Sequence, residues 1–122
     1  MRLQHTLMAA AVAVAAWSAP ARAQDGSMVV IADIVGKPAQ AQAVRDLMVP
    51  FAAQARKEPG CLRYELNEVA GEPGHFMTVE TWADKAAFDT HMKTPAITAA
   101  VPVLTPMLAK PLVITPLALV KG

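Results

Sequence analysis

Between Glu58 and His91 the chain reads EPGCLRYELNEVAGEPGHFMTVETWADKAAFDTH, and that order of local signals leaves few ways to fold. Pro59 has no backbone donor and Gly60 tolerates a turn, so Glu58-Pro59-Gly60 is a break. Cys61 to Val69 then alternates as a strand, with Leu62, Tyr64 and Leu66 expected on one face and Arg63, Glu65 and Asn67 on the other. Residues 70–74 (AGEPG) suit a hairpin connection. His75 to Trp82 is rich in β-branched and aromatic residues and predicts a second strand. Asp84 is a plausible N-cap, and Lys85 to Met92 reads as a helix with Phe88, His91 and Met92 along one side. The unit is strand, hairpin, strand, helix, and it crowds Tyr64, His75, Glu80, Trp82 and His91 together.

The flanks complete a single domain. Met28 to Val35 (MVVIADIV) is an almost unbroken apolar run, as in a central strand covered on both faces, with Asp33 expected near an edge or a polar pocket. Gly36-Lys37-Pro38 ends it. Residues 39–57 carry Val44, Leu47, Met48, Phe51 and Ala55 at helical spacing, which predicts one helix kinked by Pro50. Ala96 to Ala109 suits a short helix, or two helical turns, interrupted by Pro102 and Pro106. Leu112 to Val120 is a last apolar strand, and Pro116 within it requires an edge or a bulge. The order β-α-β-β-α-(α)-β fits an α+β fold, one antiparallel sheet with helices on one face. The first and last strands are apolar at both parities, so the second sheet face should be buried too, by a second copy packed sheet to sheet as a homodimer.

Arg2, the apolar run Leu7 to Trp17 and the end Ala21-Arg22-Ala23 read as a secretory signal, with cleavage between Ala23 and Gln24. The alternative is an uncleaved anchor, for which the run is short. A secreted or periplasmic protein without stable membrane association after cleavage is expected. Removing 23 of the 122 residues leaves 99, with nine basic and ten acidic side chains. Such a balance offers no electrostatic footprint for nucleic acid. Cys61 is the sole cysteine, so it is either a small buried hydrophobe or a free thiol. There is no G-x-G-x-x-G, P-loop or G-x-S-x-G, and no His/Cys cluster at metal spacing. No metal and no cofactor are therefore expected.

The EPGCLRYE stretch, followed by Phe76-x-x-x-Glu80-x-Trp82-x-Asp84 and Ala87-Phe88-x-x-His91, resembles the antibiotic biosynthesis monooxygenase domain over about residues 28–120. The resemblance implies a ferredoxin-like sandwich that forms a dimeric α+β barrel. It also implies an oxygenase, the family including quinol oxygenases that work without metal or flavin, oxygenases of aromatic polyketides, and haem-degrading enzymes. The haem-degrading relatives carry an asparagine in the first strand, and Met28 to Val35 has none, which disfavours that reaction.

His91 is the catalytic candidate, because a quinol must lose a proton before it readily gives an electron to oxygen, and histidine titrates near neutral pH. Its other reading is a core histidine satisfied by a backbone carbonyl. Tyr64, Trp82 and Phe88 could hold an aromatic substrate, or simply pack. Glu80 could orient His91 or pair with Arg63, since a buried carboxylate needs a partner. His75 reads as exposed and without a role. Two functions remain open: a monooxygenase using O2 on a quinol, polyphenol or similar aromatic, and a non-catalytic dimeric module binding a small apolar ligand.

Overall fold

The computed structural model describes residues 26–122; the leader and its cleavage point, with the expectation of export, lie outside the described residues. The elements are β1 (Met28–Val35), α1 (Ala41–Ala55), β2 (Cys61–Glu68), β3 (His75–Trp82), α2 (Lys85–His91), α3 (Pro95–Leu104) and β4 (Val113–Leu117). Single 3-10 turns precede α1 at Pro38–Gln40 and follow α3 at Thr105–Met107. All strand pairs are antiparallel and the sheet order is β2-β3-β1-β4. Strands β1 and β2 flank β3 and are joined through α1, the split β-α-β of a ferredoxin-like fold.

One sheet face carries the helices. Val30, Ala32 and Ile34 of β1 and Phe76, Thr78, Glu80 and Trp82 of β3 are buried there. They meet Val44, Met48, Ala52 and Ala55 of α1, Phe88 of α2 and Leu104 of α3. Helix α1 runs through Pro50 without a break, and Pro50 lies on its exposed side. A proline costs roughly 3 kcal/mol in a helix interior. Burial of four side chains on the opposite face, at about 1.5–3 kcal/mol for each large one, outweighs it. Pro116 sits in β4, which is an edge strand, as its missing donor requires. That strand is shorter than its apolar run, since only Val113 to Leu117 reach β1.

Two local expectations change. Leu62 does not share a face with Tyr64 and Leu66. A bulge between Cys61 and Arg63 inserts it as an extra residue, so Cys61 lies opposite Trp82, Arg63 opposite Thr81, and Leu62 turns outward to 42% exposure. His75 is not free in solvent either. It is half-buried, with Nε2 2.6 Å from Asp33 Oδ1 and Nδ1 against the Glu72 carboxylate. Those two acceptors, Glu72 first, raise its pKa above the ordinary histidine value. The same pair explains how Asp33 is accommodated in a central strand.

Among the described residues, no helix covers the second sheet face. Its cross-strand rows are Arg63–Thr81–Val29–Leu117, Glu65–Val79–Ile31–Thr115 and Asn67–Met77–Asp33–Val113. The middle of that face is apolar and the β2 edge is polar. Val113 and Leu117 are about half exposed.

Candidate active site

A cavity of about 50 Å³ lies between the sheet and the helices, bounded by members of both halves of the core. Its wall is almost wholly apolar, and the polar side chains on it are Tyr64, Glu80 and His91. The sequence candidates Tyr64, Glu80, Phe88 and His91 thus converge on one space, from β2, β3 and the middle and C-terminal end of α2. The alternation of β2 and β3 points Tyr64 and Glu80, which are register partners, to the same face. In α2, Phe88 and His91 are three residues apart and share a side.

Helix α2 is placed by its ends. Asp84 caps it, accepting from the Ala87 backbone N–H at 2.7 Å. At its far end Thr94 Oγ1 donates to the His91 carbonyl at 2.9 Å. Gly60 sets its approach to the sheet. A Cβ there would come within 2.5 Å of the Ala87 Cβ, and the φ of +81° is one that L-residues avoid.

The His91 ring is 3% exposed, and Nδ1 lies 2.5 Å from Glu58 Oε2. Glu58 sits in the turn after α1, its N–H bonded to the Ala55 carbonyl and its own carbonyl bonded to the Cys61 N–H. That turn carries its carboxylate to a histidine 33 residues later. A neutral imidazole that donates from Nδ1 to Glu58 presents Nε2 as an acceptor. The reading of His91 as a ring satisfied by a backbone carbonyl gives way to a histidine–carboxylate pair. Sequence reasoning took Glu58 only as part of a break. An acidic residue fixed in a tight turn beside the strand that bears Tyr64 was the available signal, but nothing local ties it to His91.

Trp82 is fully buried and stands behind the wall. Its ring lies 4.4 Å from that of His91, with an interplanar angle of 32°. Glu80 pairs with neither His91 nor Arg63. Its Oε1 accepts from Thr78 Oγ1 at 2.7 Å and its Oε2 from Trp82 Nε1 at 2.9 Å. Thr78 Oγ1 in turn accepts the Ala32 N–H at 3.1 Å. Arg63 is instead paired on the surface with Glu65. The chain Ala32–Thr78–Glu80–Trp82 satisfies every polar group in it and fixes the indole in its tilted contact with His91.

Tyr64 packs edge-on to Phe51 and lies 5.9 Å, ring to ring, from His91. Burial, and next the charges of Glu80 and Glu58, push its phenol well above the ordinary tyrosine value. That direction favours its proton-bearing form as a hydrogen-bond donor. Cys61 borders the same core half-buried, and burial first raises its thiol, so it is not an activated nucleophile. Among the described residues, no group of three or more His, Cys, Asp or Glu side chains could hold a metal ion.

The family model described as antibiotic biosynthesis monooxygenase matches residues 27–103. The uncharacterized protein sll1783 of Synechocystis is 34% identical over 87 residues, which are 71% of this chain and 59% of that protein, so the chain spans under two thirds of that relative. Among solved structures, an antibiotic biosynthesis monooxygenase superposes with a TM-score of 0.73 at 32% identity, covering 77% of this chain and 99% of the other. Rv0793 of Mycobacterium tuberculosis superposes at 0.72 with 27% identity, covering 79% of this chain and 97% of the other.

Proposed function

This chain belongs to the antibiotic biosynthesis monooxygenase family, and from that premise we propose that it is a monooxygenase that oxidises a quinol or similar polyphenol with O2, using no metal or flavin. The observation that carries the reading is buried His91 on the wall of an apolar cavity, paired from behind with the partly buried Glu58. His91 Nε2 accepts the proton of a substrate hydroxyl as Glu58 stabilises the imidazolium that forms. The Tyr64 hydroxyl donates to the same oxygen as its negative charge grows. The quinolate then gives electrons to O2. One oxygen atom enters the ring and the other leaves as water, with four electrons drawn from the substrate, so a quinol yields a hydroxyquinone.

The cavity of about 50 Å³ is smaller than the roughly 150 Å³ that admits benzene. A ring enters by displacing α3, which lines the cavity with Ile97, Ala100, Val101 and Leu104 and buries only the last of them. Oxygen uptake by metal-stripped protein on a panel of hydroquinones tests the function. We expect uptake above the blank for at least one of them. No uptake on any, together with a small apolar ligand retained in native mass spectrometry, would turn the reading to the non-catalytic binding module.

The proposal includes a homodimer built sheet to sheet and a site of action outside the cytoplasm. The dimer is supported by the apolar rows of the helix-free face, with Val29, Ile31, Met77 and Val79 at their centre. Light scattering on the purified protein should report twice the chain mass at micromolar concentration, and a stable monomer there would count against it. The export reading rests on the leader-like first 23 residues.

A further inference from the structure

We propose that the cavity selects by charge: it admits a neutral phenol or hydroquinone and refuses one that carries a carboxylate, with Glu80 as the specificity-determining residue. The ring chemistry of the ligand rests on the oxygenase reading; the charge rule does not.

Of the three polar side chains on the wall, Tyr64 and His91 are neutral in the state that receives a hydroxyl, and Glu80 is acidic. Glu80 is 3% exposed, and both its oxygens accept hydrogen bonds, from a hydroxyl and from an indole N–H. The side chain stands as an acceptor held by two dipoles, with no lysine or arginine paired to it. A second carboxylate, Glu58, stands behind His91 and is itself 14% exposed. Among the described residues, no lysine or arginine lines the cavity. Arg56 acts on the Tyr64 phenol from outside it, and its Nε is committed to the Tyr64 carbonyl at 2.8 Å. Glu80 and Glu58 both act on the Tyr64 phenol in the same upward direction. An anionic ligand would lose its water and meet like charge with no counterion, which disfavours its ionised form there. A neutral ligand bears neither cost. The geometry thus separates hydroquinones from aromatic acids of the same shape without any steric difference.

The test is binding, measured without oxygen so that turnover cannot intervene. The probes are methylhydroquinone, 2,5-dihydroxybenzoate and 2,5-dihydroxybenzamide, the last being a neutral isostere of the acid. At pH 7 the amide should bind at least about tenfold tighter than the carboxylate, as like-charge burial demands. Glu80→Gln should narrow that ratio several-fold. Equal or tighter binding of the carboxylate, or no binding of any probe, would overturn the proposal. If Glu80→Gln does not fold, the amide-to-carboxylate ratio in the unaltered protein decides alone. A clear amide preference without oxygen uptake on any quinol would keep the charge rule and remove the oxygenase reading. Uptake on neutral and acidic quinols alike would do the opposite.

Discussion

Replacing His91 by alanine is expected to lower quinol turnover at least about tenfold, the low end for loss of a general base. Among the described residues the ring is the only histidine on the cavity wall, and its Nδ1 is already committed to Glu58. Truncation also frees a buried carboxylate, so the variant must be checked for folding before its rate is compared. Glu58→Gln provides the discriminating companion. It keeps the size of the side chain and removes the charge that favours the protonated ring. The maximal rate should fall. If Glu58 were merely a cap on the turn after α1, its neutral isostere would leave the rate unchanged. An unchanged rate in His91→Ala would remove the histidine from the chemistry altogether.

The largest effect on stability should come from Trp82→Ala, at about 3–5 kcal/mol, the usual range for deleting a fully buried large aromatic. A domain of this size has roughly 5–15 kcal/mol in total, so the variant should be near or past the point of unfolding. Trp82 is 0% exposed, and its ring contacts reach Phe88 and His91. Trp82→Phe separates packing from hydrogen bonding. It fills most of the space but leaves Glu80 Oε2 without its donor, a loss of about 1–3 kcal/mol for a buried polar group. Urea unfolding of the two variants would measure both. A midpoint for Trp82→Ala within error of the unaltered protein would show that the indole is not the keystone of this half of the core. Because the indole also backs His91, Trp82→Phe should lower turnover, even though Trp82 does not touch the cavity.

The elements of this domain were legible along the chain because each is a local matter. Period-two alternation in β3, the Asp84 cap, the spacing of Val44, Met48 and Phe51, and Pro116 at an edge all act over a few residues. The same alternation brought Tyr64 and Glu80 to one face, and the three-residue step in α2 joined Phe88 to His91. What the chain could not announce was anything that depends on register or on distance. The bulge at Leu62 follows from strand pairing across β2 and β3, and it moved one apolar side chain to solvent. The division of labour around Glu80 followed from Thr78 and Trp82 lying within reach on the same strand face, which leaves no lone pair in need of His91. The partner of His91 came from a turn 33 residues earlier, and Asp33 met His75 across 42. Local propensity has no reach over such separations. Only closing the sheet places those groups together, and around buried His91 the low dielectric strengthens the pairing.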